Sequence, residues 1–384
     1  MRTGTANLPL HGGHCPPWLF ERMRHLGAAV IQLIAEEYGT HEVLRRLSDP
    51  IWFQAFGCVL GFDWHSSGLT TTVCAALKEG LEPRQRELGL FWAGGKGKAS
   101  RKTPEEIVAA VERHGLGIDA DRLTYASRMS AKVDNAAVRD GYQLYHHFFI
   151  FTADGSWAVV QQGMSDATGM ARRYHWLSLT LNDFVEEPHA AVCGVRAEET
   201  LNLVATESGP TREASVALSQ TSFSALEQEL RRIEAYLRSL KERGAQIDPE
   251  ASPLLARAVR TLDMPRAHAI PQAGRLERAL RAAQAAPPAD FEQLLATPGV
   301  GPATLRALAL VAEVTHGVRA SFRDPVRYAF AHGGKDGHPF PVRRDVYDQS
   351  IAFLEQALRR AQLGRSERLE ALRRLSRWLP DRIR

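Results

Sequence analysis

Apolar residues recur at helical spacing near the start of the chain. Between residues 18 and 38 they fall three or four positions apart, after a proline pair that suits the first turn of a helix. The spacing predicts a helix there and two shorter helices over 42–47 and 70–81. An apolar run at 51–62 lies between them and is predicted to be buried.

The middle of the chain has the composition of β-strands. Residues 142–151 are rich in aromatic side chains, Asp154 and Gly155 form a turn pair, and 157–161 returns as a second strand. Apolar residues fall on both faces of the first strand, which therefore is expected to be central in its sheet.

Polar segments lie on either side of this predicted hairpin. The glycine- and lysine-rich stretch 94–102 predicts a loop, and Thr103 with Glu106 predicts a capping box at a helix start. The stretch 206–221 predicts a linker, and heptad-like spacing over 223–244 predicts a long helix.

The predicted fold class is a predominantly helical α+β multidomain protein with a β-hairpin or small sheet in its central domain. The predicted regions are a helical region (1–88), a central α/β domain with the candidate active site (89–205), a linker with the long helix (206–249), a helical region (250–330), and a Gly/Pro loop with basic helices (331–384).

The most specific motif of the chain lies at 290–313, where two helical patterns flank the sequence PGVG. It resembles the helix-hairpin-helix motif of DNA repair and replication proteins. Glycine permits the tight turn, Val300 is expected to plug the space between the helices, and free amides at the second helix suit a phosphate. The candidate DNA-binding residues are Gly299, Val300, Gly301, Ala303, Thr304 and Arg306.

A second polar cluster surrounds the predicted hairpin. Two acids and a lysine at a strand entrance suit a divalent ion that activates water, so Asp134 and Asp140 are candidate ligands of Mg²⁺ or Mn²⁺. This chemistry predicts a metal-dependent nuclease that hydrolyses phosphodiester bonds. Its candidate catalytic residues are Lys132, Asp134, Asp140, His146 and His147. No lysine follows Gln161 and Gln162 on the second strand, which departs from the restriction-type nuclease pattern. No organic cofactor is indicated.

Two alternatives stay open. One is a non-catalytic DNA-binding or scaffold protein, in which the central domain is structural. The other is a helix-hairpin-helix glycosylase, since Asp324 lies 23 residues beyond Gly301, although the lysine of bifunctional glycosylases is absent at Pro302 and Ala303. The basic and aromatic stretch 172–176 suits base stacking or a surface helix equally well.

Histidine-rich loops add little chemistry. The spacing of His11, His14, Cys15 and His65 matches no zinc pattern. The triplet HGG occurs at 11–13 and again at 332–334, which predicts polar loops and leaves their role open.

Composition narrows the class of protein. Hydrophobic residues make up 44% and charged residues 24%, which is ordinary for a globular chain, and no apolar run is long enough to span a membrane. Four cysteines without a CxxC pair, and no signal-like N-terminus, indicate a cytoplasmic protein without a membrane partner.

Charge distribution favours a polyanionic partner. The net charge is +4, yet residues 349–384 alone hold nine arginines against four acids. The expected partner is nucleic acid, DNA more than RNA; protein partners stay unknown.

Six segments of the chain resemble a bacterial and archaeal family catalogued as domain of unknown function 763. The resemblance rests on 5–20, 61–71, 131–152, 157–164, 171–178 and 330–342. It spans nearly the whole chain and implies no activity, so the expectation of DNA binding depends on the motif at 290–313.

Overall fold

The computed structural model describes residues 8, 10, 15–62, 67–196, 200–242, 273–326, 352, 356 and 359. These residues form a predominantly helical α+β fold with a small antiparallel sheet, as predicted. The HGG triplets, His11, His14 and His65, and nearly all of the basic stretch 349–384 lie outside the described residues.

Five helices form the first part of the described chain: α1 (Pro17–Tyr38), α2 (Thr40–Ser48), α3 (Pro50–Leu60), α4 (Gly68–Leu81) and α5 (Gln85–Leu88). The helices predicted over 18–38, 42–47 and 70–81 are confirmed. Helix α3 is the buried apolar run; the Asp49 carboxylate caps it by accepting hydrogen bonds from the amides of Ile51 and Trp52.

The remaining helices are α6 (Lys98–Arg101), α7 (Thr103–His114), α8 (Ala120–Lys132), α9 (Gly209–Ser219), α10 (Phe223–Glu242), α11 (Ala273–Ala285), α12 (Phe291–Ala296) and α13 (Pro302–His316). Helix α8 runs on into a π-helical turn, Val133–Ala137. The long helix predicted from residue 223 is α10, which buries Leu226, Leu230 and Ile233.

The strands are β1 (Leu90–Lys96), β2 (Val138–Arg139), β3 (Gln143–Thr152), β4 (Trp157–Ser165), β5 (Met170–Leu177), β6 (Ala191–Cys193) and β7 (Leu201–Asn202). One antiparallel sheet has the order β1-β3-β4-β5-β6, and β2 pairs with β7. The β3–β4 hairpin is confirmed, with Phe149 opposite Val159, and β3 is central as predicted.

Helices cover both faces of the five-stranded sheet. Phe148 and Ile150 pack with the helices of the first 81 residues, whereas Phe149 and Phe151 pack with α7, α8, α9, α12 and α13. Alternation along β3 therefore divides the interior into two hydrophobic cores, one on each face.

Strand β5 also contacts two segments that lie far apart in the chain. The amide of Ala171 donates to the carbonyl oxygen of Leu8 at 2.8 Å. The guanidinium of Arg172 donates to the carboxylate of Asp324 at 2.7 Å. Segments more than 300 positions apart in sequence thus meet on one strand.

The loop and capping box predicted around residues 94–106 are wrong. Residues 94–96 belong to β1, and a Cβ at Gly94 would lie 2.3 Å from the carbonyl oxygen of His147, so only glycine permits this close pairing. The Glu106 carboxylate does not cap α7. It accepts from the Gly94 amide at 2.8 Å and from the Lys78 ammonium at 2.6 Å, and so fixes the strand to two helices.

Two further predictions are corrected by the interior. The stretch 172–176 is neither a surface helix nor a base-stacking cluster; it is strand β5, and Arg172 and Arg173 are fully buried. The linker predicted at 206–221 contains α9, in which the Ser215 hydroxyl donates to the carbonyl oxygen of Thr211. Both segments have the composition of protein surface, yet side chains such as Arg172 and Ser215 are buried and hydrogen-bonded inside the fold.

Candidate functional site

Helices α12 and α13 flank a tight turn at 297–301. Asp290 caps α12 by accepting from the Gln293 amide at 2.7 Å. Val300 is buried between the helices, as expected, while Pro298 and Gly299 are exposed. Gly299 has a φ of +83°, a backbone conformation that favours glycine.

Backbone amides near this turn are available to a ligand. Among the described residues, the amides of Gly299, Gly301, Ala303 and Thr304 have no hydrogen-bond acceptor. A Cβ at Gly301 would meet nothing within 4 Å, so the space beside it is open. The side chain of Thr304, a candidate DNA-binding residue, is by contrast buried.

The carbonyl side of the same turn is occupied by Lys132. Its ammonium donates to the carbonyl oxygens of Leu295 at 2.6 Å, Thr297 at 3.2 Å and Val300 at 3.3 Å. Cations suit the C-terminal end of a helix such as α12, where free carbonyl groups concentrate negative charge. Burial lowers the pKa of Lys132. The predicted catalytic lysine therefore fixes the turn to the end of α8.

Arg306 lies one turn into α13 and is partly buried. Burial, and then repulsion from the nearby Arg139, lower the pKa of Arg306 to about 10, so it stays charged at neutral pH.

A basic pocket of about 610 Å³ adjoins Lys132. Arg101 and Arg128 also line it, and both are exposed. Within the described part of the chain, no aspartate or glutamate lines this basic pocket. A larger cavity of about 910 Å³ between α4 and β1 carries charges of both signs, including Lys96 and Glu79. The basic pocket is therefore the more selective of the two for an anion.

Ser127 and His147 form part of the wall of the basic pocket. The Ser127 Oγ lies 2.9 Å from His147 Nε2, and His147 Nδ1 lies 2.8 Å from Gln161 Oε1. The Gln161 amide then donates to Asp134 Oδ2 at 2.6 Å. Burial lowers the pKa of His147 to about 4, so the imidazole is neutral at pH 7.

Asp134 is fully buried at the end of this chain of hydrogen bonds. It also accepts from Trp176 Nε1 at 3.0 Å and lies 2.5 Å from His189 Nε2. Burial raises the pKa of Asp134, opposed mainly by His189. Its carboxylate is therefore closed to solvent and occupied by side-chain donors of the protein.

Asp140 lies in a separate buried ion-pair network. It accepts from Arg172 at 2.8 Å and from the Tyr174 hydroxyl at 2.6 Å. Arg172 also donates to Asp324 and so bridges the two carboxylates. Asp324, the residue considered for glycosylase chemistry, is buried as well. Asp134 and Asp140, the predicted metal pair, thus have different hydrogen-bond partners in the interior.

The two histidines divide between the faces of the sheet. His146 lies opposite Gln162 and His147 opposite Gln161. His146 is buried, its pKa is lowered to about 3 chiefly by burial, and neither ring nitrogen has a partner among the described residues. In the described part of the chain, no three His, Cys, Asp or Glu side chains are grouped to hold a metal ion.

Sequence reasoning missed Ser127, Arg101 and Arg128. A usable signal was present for one of them: Arg128 precedes Lys132 by four positions, which places both on one face of α8. Ser127 carried no comparable signal, because its partner His147 is 20 positions away and joins it only through packing of α8 on β3.

The fold and site define an α+β protein in which an amide-rich turn and a basic pocket share one lysine. The chain belongs to the family described as "Protein of unknown function (DUF763)", which it matches over residues 4–342. The resemblance to that family is confirmed. Comparisons with curated proteins and with solved structures gave no match. None of the described helices has the length and apolar character that crossing a bilayer requires.

Proposed function

We propose that this protein binds the sugar–phosphate backbone of DNA with the 297–301 turn and the adjoining basic pocket. The observation that carries the proposal is the position of Lys132. Its ammonium satisfies carbonyl groups of the turn from within, while amides of the same turn have no acceptor among the described residues. The turn thus keeps its hydrogen-bond donors for a ligand outside.

The chemistry of such a ligand is anionic. Free amides at the start of α13, a helix of 15 residues, attract phosphate through hydrogen bonds and the helix dipole. Arg306 lies one turn further on, and Arg101 and Arg128 extend the positive surface into the basic pocket. This arrangement supports the proposal that the two helices act as a helix-hairpin-helix module.

Recognition of this kind does not read sequence. Amides, lysine and arginine contact phosphate and sugar, which fix the register of a nucleic acid without distinguishing bases. We therefore expect binding to DNA of unrelated sequences with similar affinity and with a steep dependence on salt.

Fluorescence anisotropy with labelled duplex and single-stranded DNA tests the proposal. Gly301→Asp introduces a negative charge into open space at an extended backbone position, so the fold is expected to survive. We expect affinity to fall at least tenfold, or about 1.4 kcal/mol.

The matched control is Gly117→Asp. Gly117 is exposed, and a Cβ there, as at Gly301, would meet nothing within 4 Å. It lies before the start of α8, at the opposite end of that helix from Lys132. Equal binding by wild type and a folded Gly301→Asp variant would overturn the proposal. Tighter binding of RNA than of DNA in the same assay would replace DNA as the partner.

A further inference from the structure

Ser127 and His147 are oriented like a nucleophile and its base. The Gln161 amide nitrogen donates to Asp134, so its oxygen faces His147. His147 Nδ1 must then carry the proton and donate to that oxygen. Nε2 is left as the acceptor, 2.9 Å from the Ser127 hydroxyl. A serine that donates to a neutral imidazole is the arrangement that activates hydroxyl nucleophiles.

The pair faces a space with the right charge for a phosphate ester. Ser127 and His147 are 2% and 5% exposed, yet both form the wall of the basic pocket. Its volume, about 610 Å³, lies in the range of small-ligand sites. Arg101, Arg128 and Lys132 supply positive charge there. A phosphoryl group that carries negative charge matches these cations better than a neutral ester does.

We propose that Ser127 is the nucleophile of a phosphodiester-cleaving site in the basic pocket, with His147 as its general base. The inference rests on the proposed function, because the DNA backbone supplies the phosphodiester. Gln161 is a positioning residue, since it holds the imidazole tautomer. Asp134 in turn fixes the amide of Gln161.

The reaction proceeds in two balanced steps. In the first, the Ser127 Oγ forms a bond to phosphorus, and the bond from phosphorus to one sugar oxygen breaks with its electron pair on that oxygen. The serine proton moves to His147 Nε2 and then to the leaving oxygen. In the second, water attacks the phosphoserine, His147 accepts its proton, and Ser127 leaves as the hydroxyl. The products are a phosphomonoester end and an alcohol end.

A fluorophosphonate probe tests the nucleophile without DNA. Attack by Ser127 would form an oxygen–phosphorus bond and release fluoride, and peptide mass spectrometry locates the adduct. We expect labelling at Ser127 in wild type, none at that position in Ser127→Ala, and at least a hundredfold slower labelling in His147→Gln.

Ser130→Ala is the matched control. Ser130 is equally buried one turn along α8, and its hydroxyl donates to the carbonyl oxygen of Ser127 instead of to an imidazole. We expect its labelling and its DNA cleavage to match wild type. Thermal unfolding of each variant verifies that the fold is intact. If His147→Gln does not fold, Ser127→Ala still tests the proposal, because this substitution removes only one oxygen atom.

DNA cleavage and DNA binding are then measured on the same variants. Cleavage that disappears in Ser127→Ala while binding persists supports the inference. A wild-type protein that binds DNA but neither labels at Ser127 nor cleaves overturns it and leaves the proposed function standing. A protein that labels at Ser127 but does not bind DNA contradicts the proposed function and, with it, the phosphodiester substrate.

Discussion

The ammonium of Lys132 lies 2.6 Å from the carbonyl oxygen of Leu295, 163 positions later in the chain. This contact joins the end of α8 to the end of α12. Because Lys132 also lines the basic pocket, one side chain sets the position of the turn relative to that pocket. Its removal is therefore expected to affect both stability and ligand binding.

Lys132→Met keeps much of the side-chain volume and removes the donor. The carbonyl groups of Leu295, Thr297 and Val300 then lose their shared partner. We expect the free energy of unfolding, measured with urea, to fall by about 1–3 kcal/mol. Lys98→Met is the control, since Lys98 is exposed on α6. An equal loss in both variants would show that the contact with the turn contributes nothing.

Charges of the basic pocket are expected to set the salt dependence of DNA binding. Arg101→Gln and Arg128→Gln should each weaken binding to all sequences alike. Each should also reduce the slope of log K against log salt by about 0.9 for a lost duplex phosphate contact. Arg113→Gln, an exposed change on the far end of α7, should leave the slope unchanged. Anisotropy titrations at several salt concentrations measure the slopes.

The buried ion pair of Arg172 with Asp140 is expected to be essential for stability. Asp140→Ala removes one of the two carboxylates that pair with the Arg172 guanidinium and leaves Asp324 as the other. Because removal of one partner leaves a buried charge incompletely paired, we expect the free energy of unfolding to fall by about 3 kcal/mol. The exposed Asp166→Ala should change the free energy of unfolding by less than about 0.5 kcal/mol. Similar unfolding curves for both variants would contradict this account.

Acid is expected to destabilise the protein through His147. Its pKa falls from 6.5 to about 4 on folding, so the unfolded chain binds the proton first. The contribution of the neutral imidazole to the free energy of unfolding is fully present above pH 6.5. It is lost as the pH falls toward 4, by up to about 1.4 kcal/mol per pH unit. His147→Gln should flatten urea-derived stability over this window. A slope as steep as that of wild type would argue against a neutral buried His147.

Local sequence patterns predicted the helices and the central hairpin because a single periodicity of apolar residues determines each of these elements. Helical spacing located α1 and α10, and alternation with a turn pair located β3 and β4. The sequence also predicted that Val300 is buried between the two helices, since an apolar side chain in a tight turn is more stable when it is removed from water.

The candidate site was harder to predict because it depends on distant partners. The sequence placed Asp140 near a strand as a candidate metal ligand, and it gave no sign that Arg172 and Tyr174 of β5 pair with this carboxylate inside the fold. The contact of Lys132 with the carbonyl oxygen of Leu295 could not be predicted either, because it depends on the packing of α12 against α8. Local sequence gives the residue types available for chemistry, and tertiary packing decides which of them remain exposed.

The meeting of Leu8 and Asp324 on strand β5 has a consequence for biosynthesis. A ribosome releases the N-terminal end first, at about 5–20 residues per second. Arg172 is translated long before Asp324, which lies near the end of the segment that matches the family. Until Asp324 has been translated, the charge of Arg172 is only partly compensated. Nascent chains that end before residue 324 should therefore be bound by chaperones and cleaved by proteases at this strand.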